Sequence, residues 1–231
     1  TSMVSKVFKI IDSLYDYNQR IPIIVGGPHA TLYPEDFLLD GRVSYIMRGE
    51  SEEKISEVIS NAVKEKTPKI IDCQPIDVKK LPFPDFTCFY RFENIRDYPF
   101  STSRGCPYQC SFCAVFSLSS RIFRWREINT CCEEIVNARM LLPNLKAVTV
   151  IDDNSVTSKD RFRNFLLQYI EKIDLPLGFS YIRADAIDGE ILTLLKRAKT
   201  PSVCIAVEHA HPEVYKHINK GEELSAIIKA A

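Results

Sequence analysis

The sequence predicts an α/β protein built in two successive parts. Short apolar runs that suit buried strands alternate with amphipathic stretches that suit helices. The alternation stops over a proline-rich stretch, residues 67–100, and then resumes. At 231 residues the chain is long enough for one large domain or two small ones.

The chain opens on a helical pattern, with Val4, Val7, Phe8, Ile11 and Leu14 on one face. Ile21–Val25 reads as a strand apolar enough to be buried on both faces, as in a parallel sheet. Gly26, Gly27 and Pro28 end it, and a short helix follows near Pro34–Leu39. Val43–Met47 is the second strand, closed by Gly49. A third helix runs to about Lys66, with Ser51 as a candidate cap and Lys54 where a capping-box acid would stand.

Pro68, Pro75, Pro82, Pro84 and Pro99 then break helix and central strand alike. Leu81-Pro82-Phe83-Pro84 reads as extended, and the stretch reads as a linker. Beyond it, strand Phe100–Ser103 leads into a cysteine-rich loop. Helix 127–142, strand Ala147–Ile151, helix 159–173, strand Leu177–Ile182, helix 188–198, strand Ser202–Val207 and a final helix from Glu222 follow. Four strands with helices between them suit an α/β barrel or a doubly wound sheet, and periodicity alone does not choose. Both ends of the chain read as cut: it starts within a helical pattern and stops within another.

Thirty basic and thirty acidic residues cancel, which gives no general pull toward nucleic acid or an anionic membrane. A local basic patch at Arg121, Arg124 and Arg126 stays open. No apolar run is long enough to span a bilayer, and Asp12, Asp16 and Arg20 break up any signal-peptide pattern. Eight cysteines are too few for a disulfide scaffold of this size. Reduced thiols with one metal site in a cytoplasm is the simpler expectation.

Three of those cysteines are clustered, in Thr102-Ser103-Arg104-Gly105-Cys106-Pro107-Tyr108-Gln109-Cys110-Ser111-Phe112-Cys113. Thiolates are the standard ligands of iron–sulfur clusters. Three of them leave one iron of a four-iron cluster open to a substrate, and the tight spacing lets one loop wrap three corners. A structural zinc site is the alternative; it normally takes four ligands, and no fourth Cys or His lies close by in sequence. The adjacent pair Cys131-Cys132 falls on the helix that follows.

The loop resembles that of the radical-SAM superfamily, whose hallmark is C-x₃-C-x-φ-C with φ aromatic, here Phe112. The resemblance implies a [4Fe–4S] cluster held by Cys106, Cys110 and Cys113. Its open iron would chelate S-adenosylmethionine and, by one-electron transfer, yield a 5′-deoxyadenosyl radical. Phe112 would lie near the adenine. An electron donor such as flavodoxin or ferredoxin is implied as a partner, beside a small-molecule substrate.

Further positions follow from the same resemblance, all at the carboxyl ends of strands, where ligands of parallel α/β folds gather. Asp152 and Asp153 resemble the paired Asp of the cobalamin-linked branch, although as residues alone they suit a turn or a cap. Arg183 suits a cofactor carboxylate or a salt bridge. Glu208, in Ala206-Val207-Glu208-His209, stands where the family has G-x-E-S and would accept hydrogen bonds from ribose hydroxyls. His209 and His211 read as loop residues. The stretch Val214–Gly221 is similar to the family segment after this strand.

Gly26-Gly27-Pro28-His29, with Met47-Arg48-Gly49-Glu50-Ser51, is similar to the C-terminal half of a Rossmann-like cobalamin-binding domain. There Gly26 and Gly27 would line the pocket of the nucleotide tail; as residues alone they suit a tight turn. The implied organisation is a partial cobalamin-binding domain over 1–75, a linker over 76–99 and the first part of a radical-SAM partial (β/α) barrel over 100–231. No D-x-H-x-x-G occurs, so no axial cobalt ligand is named. The implied activity is cobalamin-dependent methyl transfer to an unactivated carbon. A radical cyclisation or rearrangement, or a non-catalytic zinc-binding α/β module, are the alternatives.

Overall fold

A computed structural model describes residues 3–63, 67–119 and 122–230. The chain divides into two compact units. The first comprises Thr1–Ile76 and Ser117–Ser120, the second Asp77–Phe116 and Arg121–Ala231.

In the first unit, α1 (Val4–Tyr17) leads into β1 (Ile23–Val25), α2 (Pro28–Leu32), α3 (Glu35–Leu38), β2 (Val43–Arg48), α4 (Ile55–Ser60) and β3 (Lys69–Asp72). The three strands form one parallel sheet with β2 in the middle. Five of the six β2 residues are buried, as expected of a central parallel strand. Ile11 of α1 packs with Ile23, Val25, Ala30, Phe37, Val43 and Ile46. Val7 and Phe8 lean on that core, whereas Leu14 is exposed.

Three local expectations are corrected here. Ser51 does not cap a helix with its side chain; its carbonyl accepts from Lys54 and Ile55, and α4 starts only at Ile55. The helix also ends early, at Ser60 with Asn61 after it, rather than near residue 66, which lies outside the described residues. The proline-rich stretch holds a strand, β3, which adds to the edge of β2.

In the second unit, turns of 3₁₀-helix at Val78–Lys80, Phe86–Cys88 and Phe92–Asn94 precede β4 (Asp97–Phe100). Asp77 and Asp85 cap the first two by accepting the N–H of Lys79 and Thr87. Then come β5 (Ser103–Arg104), α5 (Val115–Leu118, whose last two residues belong to the first unit), β6 (Arg124–Trp125), α6 (Ile128–Leu141), β7 (Ala147–Val150), α7 (Lys159–Lys172), β8 (Leu177–Phe179), α8 (Gly189–Arg197), α9 (Pro212–Ile218) and α10 (Leu224–Ala230).

Strands β4, β7 and β8 make a parallel sheet in that order. Pro99 is tolerated in β4 because β4 is an edge strand. Helices α6, α7 and α8 supply Ile135, Leu166 and Ile191 to a core with Tyr98, Phe100, Val148, Val150 and Leu177. Ser158 and Asp188 cap α7 and α8 by accepting the N–H of Arg161 and Ile191.

The expected strand Phe100–Ser103 resolves into two elements. Beta4 ends at Phe100, and β5 pairs antiparallel with β6, Ser103 opposite Trp125 and Arg104 opposite Arg124. The expected strand 202–207 does not form a ladder; it is extended chain tied to its neighbour where Cys204 accepts the N–H of Ile182. Helix α9 was not expected. Among the described residues the sheets are open and no closed barrel is present. No described helix is long and apolar enough to cross a membrane. Of the expected basic patch, Arg126 is buried against Glu134, and Arg121 lies outside the described residues.

Candidate active site

Because β4, β7 and β8 are parallel, the segments after Phe100, Val150 and Phe179 leave the same end of the sheet. The first carries the cysteine loop, the second Asp152-Asp153-Asn154, the third Tyr181-Ile182-Arg183. They meet in one cavity of the second unit, lined by Cys106, Cys110 and Cys113 together with Tyr108, Phe112, Asp153, Asn154, Tyr181, Arg183, Ala206, Glu208 and Lys220. The sequence-predicted Phe112, Asp153, Arg183 and Glu208 are thus brought together with the three cysteines.

Asp152 is not part of that lining. Its buried carboxylate accepts the N–H of Thr102 (2.7 Å) and Ser103 (3.1 Å) and both hydroxyls, at 2.5 and 2.8 Å. It fixes β5 at the foot of the cysteine loop. Burial pushes its carboxyl up, and these hydrogen bonds oppose the rise. Asp153 turns the other way and accepts the Gly105 N–H at 2.9 Å. Gly105 has φ +87°, a left-handed conformation that glycine adopts without steric cost.

The three thiols are partly buried. Burial pushes Cys106 and Cys110 above their ordinary value; at Cys106, hydrogen bonds from the Tyr108 backbone and the Asn154 side chain oppose this. Asn154 is itself buried, 3% exposed, with its Nδ2 3.8 Å from Cys106 Sγ. Cys131 and Cys132 lie in the core on α6, and burial pushes the Cys131 thiol up to about 12. They are packing residues. Among the described residues, no three His, Cys, Asp or Glu side chains are arranged to hold a single metal ion.

Arg183 is almost fully buried. It makes a two-point contact with Asp185, Nε at 3.1 Å and Nη2 at 2.6 Å, and donates to the carbonyls of Lys220 and Gly221. Its guanidinium also lies 3.7 Å from the centre of the Tyr108 ring. Glu208 is exposed and has φ +63°, a conformation that a non-glycine residue holds only where its surroundings impose it.

Tyr108, Asn154, Tyr181, Lys220 and Glu222 escaped sequence reading. Lys220 and Glu222 flank Gly221, and their buried side chains pair at 3.1 Å, with Lys220 also reaching the Ala206 carbonyl. Glu222 accepts the Asp185 N–H at 2.9 Å. Asn219 donates to the Gln109 carbonyl, and Ile218 accepts the Ser111 N–H, so this segment holds the cysteine loop from behind. Burial, with Glu222 adding to it, pushes the Tyr181 hydroxyl well above its ordinary value. That hydroxyl is buried, lies in the cavity wall and has no hydrogen-bond partner among the described residues.

In the first unit a recess lies at the carboxyl ends of β2 and β3, lined by Thr31, Arg48, Gly49, Glu50, Cys73 and neighbouring residues. Gly26 and Gly27 do not line it. Gly27 precedes α2, and its carbonyl accepts the N–H and hydroxyl of Thr31. His29 pairs with Asp36 at 2.8 Å.

A parallel α/β sheet thus presents three cysteines, an aromatic side chain and both acidic and basic groups to one cavity. No protein-family model matches the chain. The chain is 21% identical to an uncharacterized methyltransferase of Pyrococcus horikoshii, over 96% of its own length and 52% of the relative's. It is 22% identical to the bacteriochlorophyllide d C-12(1)-methyltransferase of Chlorobaculum tepidum, over 86% and 44%. It is 26% identical to the anaerobic magnesium-protoporphyrin IX monomethyl ester cyclase of a Synechocystis, over 90% and 46%.

The fold is that of two solved enzymes. The radical S-adenosylmethionine methyltransferase TsrM of Kitasatospora setae, with tryptophan and a SAM analogue bound, matches with a TM-score of 0.70 at 17% identity, over 91% of this chain and 46% of that one. The cobalamin-dependent S-adenosylmethionine radical enzyme OxsB, with aqua-cobalamin and S-adenosylmethionine bound, also matches at 0.70, with 19% identity over 99% and 37%. The fold is therefore shared with these two enzymes, and the chain spans about half the length of the curated relatives it matches.

Proposed function

We propose that this chain carries the cluster- and nucleoside-binding part of a cobalamin-dependent radical-SAM enzyme, and that the enzyme transfers a methyl group to an unactivated carbon of a small molecule. The observation that carries the reading is the convergence of Cys106, Cys110, Cys113, Phe112, Asp153, Arg183 and Glu208 on one cavity. Three thiolates suit a four-iron cluster with one open iron. A structural zinc ion normally takes four protein ligands, and the lining of this cavity holds three cysteines and no histidine.

When bound, the cluster supplies the electron that splits S-adenosylmethionine into methionine and a 5′-deoxyadenosyl radical, and cobalamin supplies a methyl carrier. The residues of the chain bind, orient and shield. Cys106, Cys110 and Cys113 ligate three irons. Phe112, 58% exposed, offers a ring face to the adenine. Glu208 accepts hydrogen bonds from ribose hydroxyls. Asp153 fixes the Gly105 backbone and faces the amino group of the ligand. Arg183 gives the positive charge that suits the ligand carboxylate, while Asp185 fixes its plane. Asp152 positions the loop from below. Tyr108 and Tyr181 help to exclude water. In the first unit, residues 1–75 are the cobalamin-binding part. The recess at Thr31 and Gly49, more than the Gly26-Gly27 pair, faces the nucleotide tail. Residues 76–99 link this part to the partial barrel.

A low-potential electron donor such as flavodoxin or ferredoxin serves as partner, nucleic acid does not, and the setting is a cytoplasm that keeps the thiols reduced. The likeness to the Synechocystis cyclase favours a second reading, radical ring closure at the same site. Anaerobic reconstitution with iron and sulfide tests the proposal. The expected outcome is about four irons per chain, lost in Cys106→Ala, and 5′-deoxyadenosine formed from S-adenosylmethionine. Zinc without iron, or a loaded protein that never cleaves S-adenosylmethionine, refutes it. The methylated or cyclised product separates the two readings.

A further inference from the structure

The cavity holds one buried polar side chain aimed at a cysteine sulfur, and the amide of that side chain has only one way to face. Asn154 is 3% exposed and sits just after β7. Its Oδ1 accepts the Val156 N–H at 3.1 Å. A backbone N–H requires an oxygen there, so the NH₂ end points the other way, and its Nδ2 lies 3.8 Å from Cys106 Sγ. The Asn154 carbonyl accepts the Ser103 hydroxyl at 3.4 Å, which ties the same residue to the foot of the cysteine loop. A burial this deep leaves water little access to substitute for either contact.

We propose that Asn154 raises the reduction potential of the cluster by donating a hydrogen bond to the Cys106 thiolate. The inference rests on the cluster reading above and adds a residue to it. One-electron reduction, [4Fe–4S]²⁺ plus one electron to [4Fe–4S]⁺, adds negative charge that is shared by the thiolate sulfurs. A fixed N–H donor stabilises the more negative state more strongly, and hydrogen bonds to the sulfurs are among the factors that set such potentials. Asn154 is a positioning and tuning residue: it touches a ligand of the cluster and takes no part in bond making.

Two variants test this in the anaerobically reconstituted chain, by spectroelectrochemical titration with dithionite and mediators. Asn154→Leu keeps the shape and removes the donor. Asn154→Asp keeps the acceptor for Val156 and turns an oxygen toward the sulfur. The expected result is a reduction equilibrium about tenfold less favourable in Asn154→Leu, a fall of roughly 59 mV for one electron, and a larger fall in Asn154→Asp. The electron paramagnetic resonance signal of the reduced cluster shifts in both, at iron content equal to that of the unsubstituted protein. Unchanged potentials in both fully loaded variants overturn the inference and leave the cluster reading standing. So does loss of iron from both, because a tuning residue is not required for ligation. An unsubstituted protein that takes up no cluster overturns the cluster reading itself, and this inference with it.

Discussion

Glu134→Leu is predicted to destabilise the second unit by about 3–5 kcal/mol, the usual cost of leaving one partner of a buried ion pair alone. Glu134 is 3% exposed on α6, and Arg126, 6% exposed, pairs with it through Nη2. Glu134 also accepts the Tyr98 hydroxyl at 2.9 Å. Removing the carboxylate leaves the Arg126 charge with the Ser101 carbonyl at 2.9 Å and the face of the Phe100 ring, and leaves the Tyr98 hydroxyl without its acceptor. At about 2–4 °C per kcal/mol for a chain of this size, the melting temperature falls by on the order of 10 °C. Trp125, the single tryptophan, adjoins Arg126 and reports on this unit by fluorescence during urea unfolding. The double variant Arg126→Met with Glu134→Leu should recover most of the loss, since it removes both charges and fills the site with apolar atoms. A loss under about 1 kcal/mol in the single variant, or a double variant as unstable as the single one, would refute the reasoning, because the pair would then behave as if solvated.

Three further outcomes are expected. Gly49→Ala places a Cβ 2.3 Å from the Cys73 carbonyl oxygen at φ +88°, so the first unit should lose at least about 1–3 kcal/mol; a thermal melt unchanged from the parent would rule this out. Asp152→Ala strands the buried N–H groups of Thr102 and Ser103 at about 1–3 kcal/mol each, whereas Asp153→Ala frees the N–H of Gly105 alone; urea midpoints should rank the two in that order. Asp188 is held below its ordinary 3.8 by the Ile191 N–H and then by Lys159. A carboxylate with a depressed folded value stabilises fully above its unfolded value and loses that contribution as pH falls through the folded one. Asp188→Asn should therefore flatten the acid limb of the stability curve below about pH 4; an acid limb that matches the parent's would contradict this.

The features legible in the sequence are those whose cause is local. The spacing of Cys106, Cys110 and Cys113 reads as a metal site with zinc still open, and Phe112 in the same motif carries the resemblance to a cluster loop. Strand β7 and helices α6, α7 and α8 follow from short apolar runs and from residues such as Ser158 and Asp188 that cap within three positions. Strand β3 was hidden because Lys69–Asp72 is an edge strand between Pro68 and Pro75, mostly exposed and without an apolar run; its partner on β2 makes it a strand. The run Ser202–Val207 misled in the opposite direction. Its apolar residues suit a strand, but a ladder needs a neighbour, and one hydrogen bond to Ile182 does not make one. Within the site, Phe112 was named from the cysteine motif, and Asp153, Arg183 and Glu208 were expected at strand ends through the family resemblance; all four line the cavity. The separate fates of Asp152 and Asp153 were not, because Thr102 and Ser103 are about fifty positions away in sequence and only the sheet brings them near. Lys220 and Glu222 were hidden for the same reason.

The ribbon of β5 and β6 has a thermodynamic consequence of its own. It joins Arg104 to Arg124, so the two ends of the cysteine-bearing loop are already together when the protein is folded. Closing a flexible loop of about twenty residues costs roughly 2–3 kcal/mol of chain entropy. Here that cost is offset by ordinary backbone pairing and by the grip of Asp152 on Thr102 and Ser103.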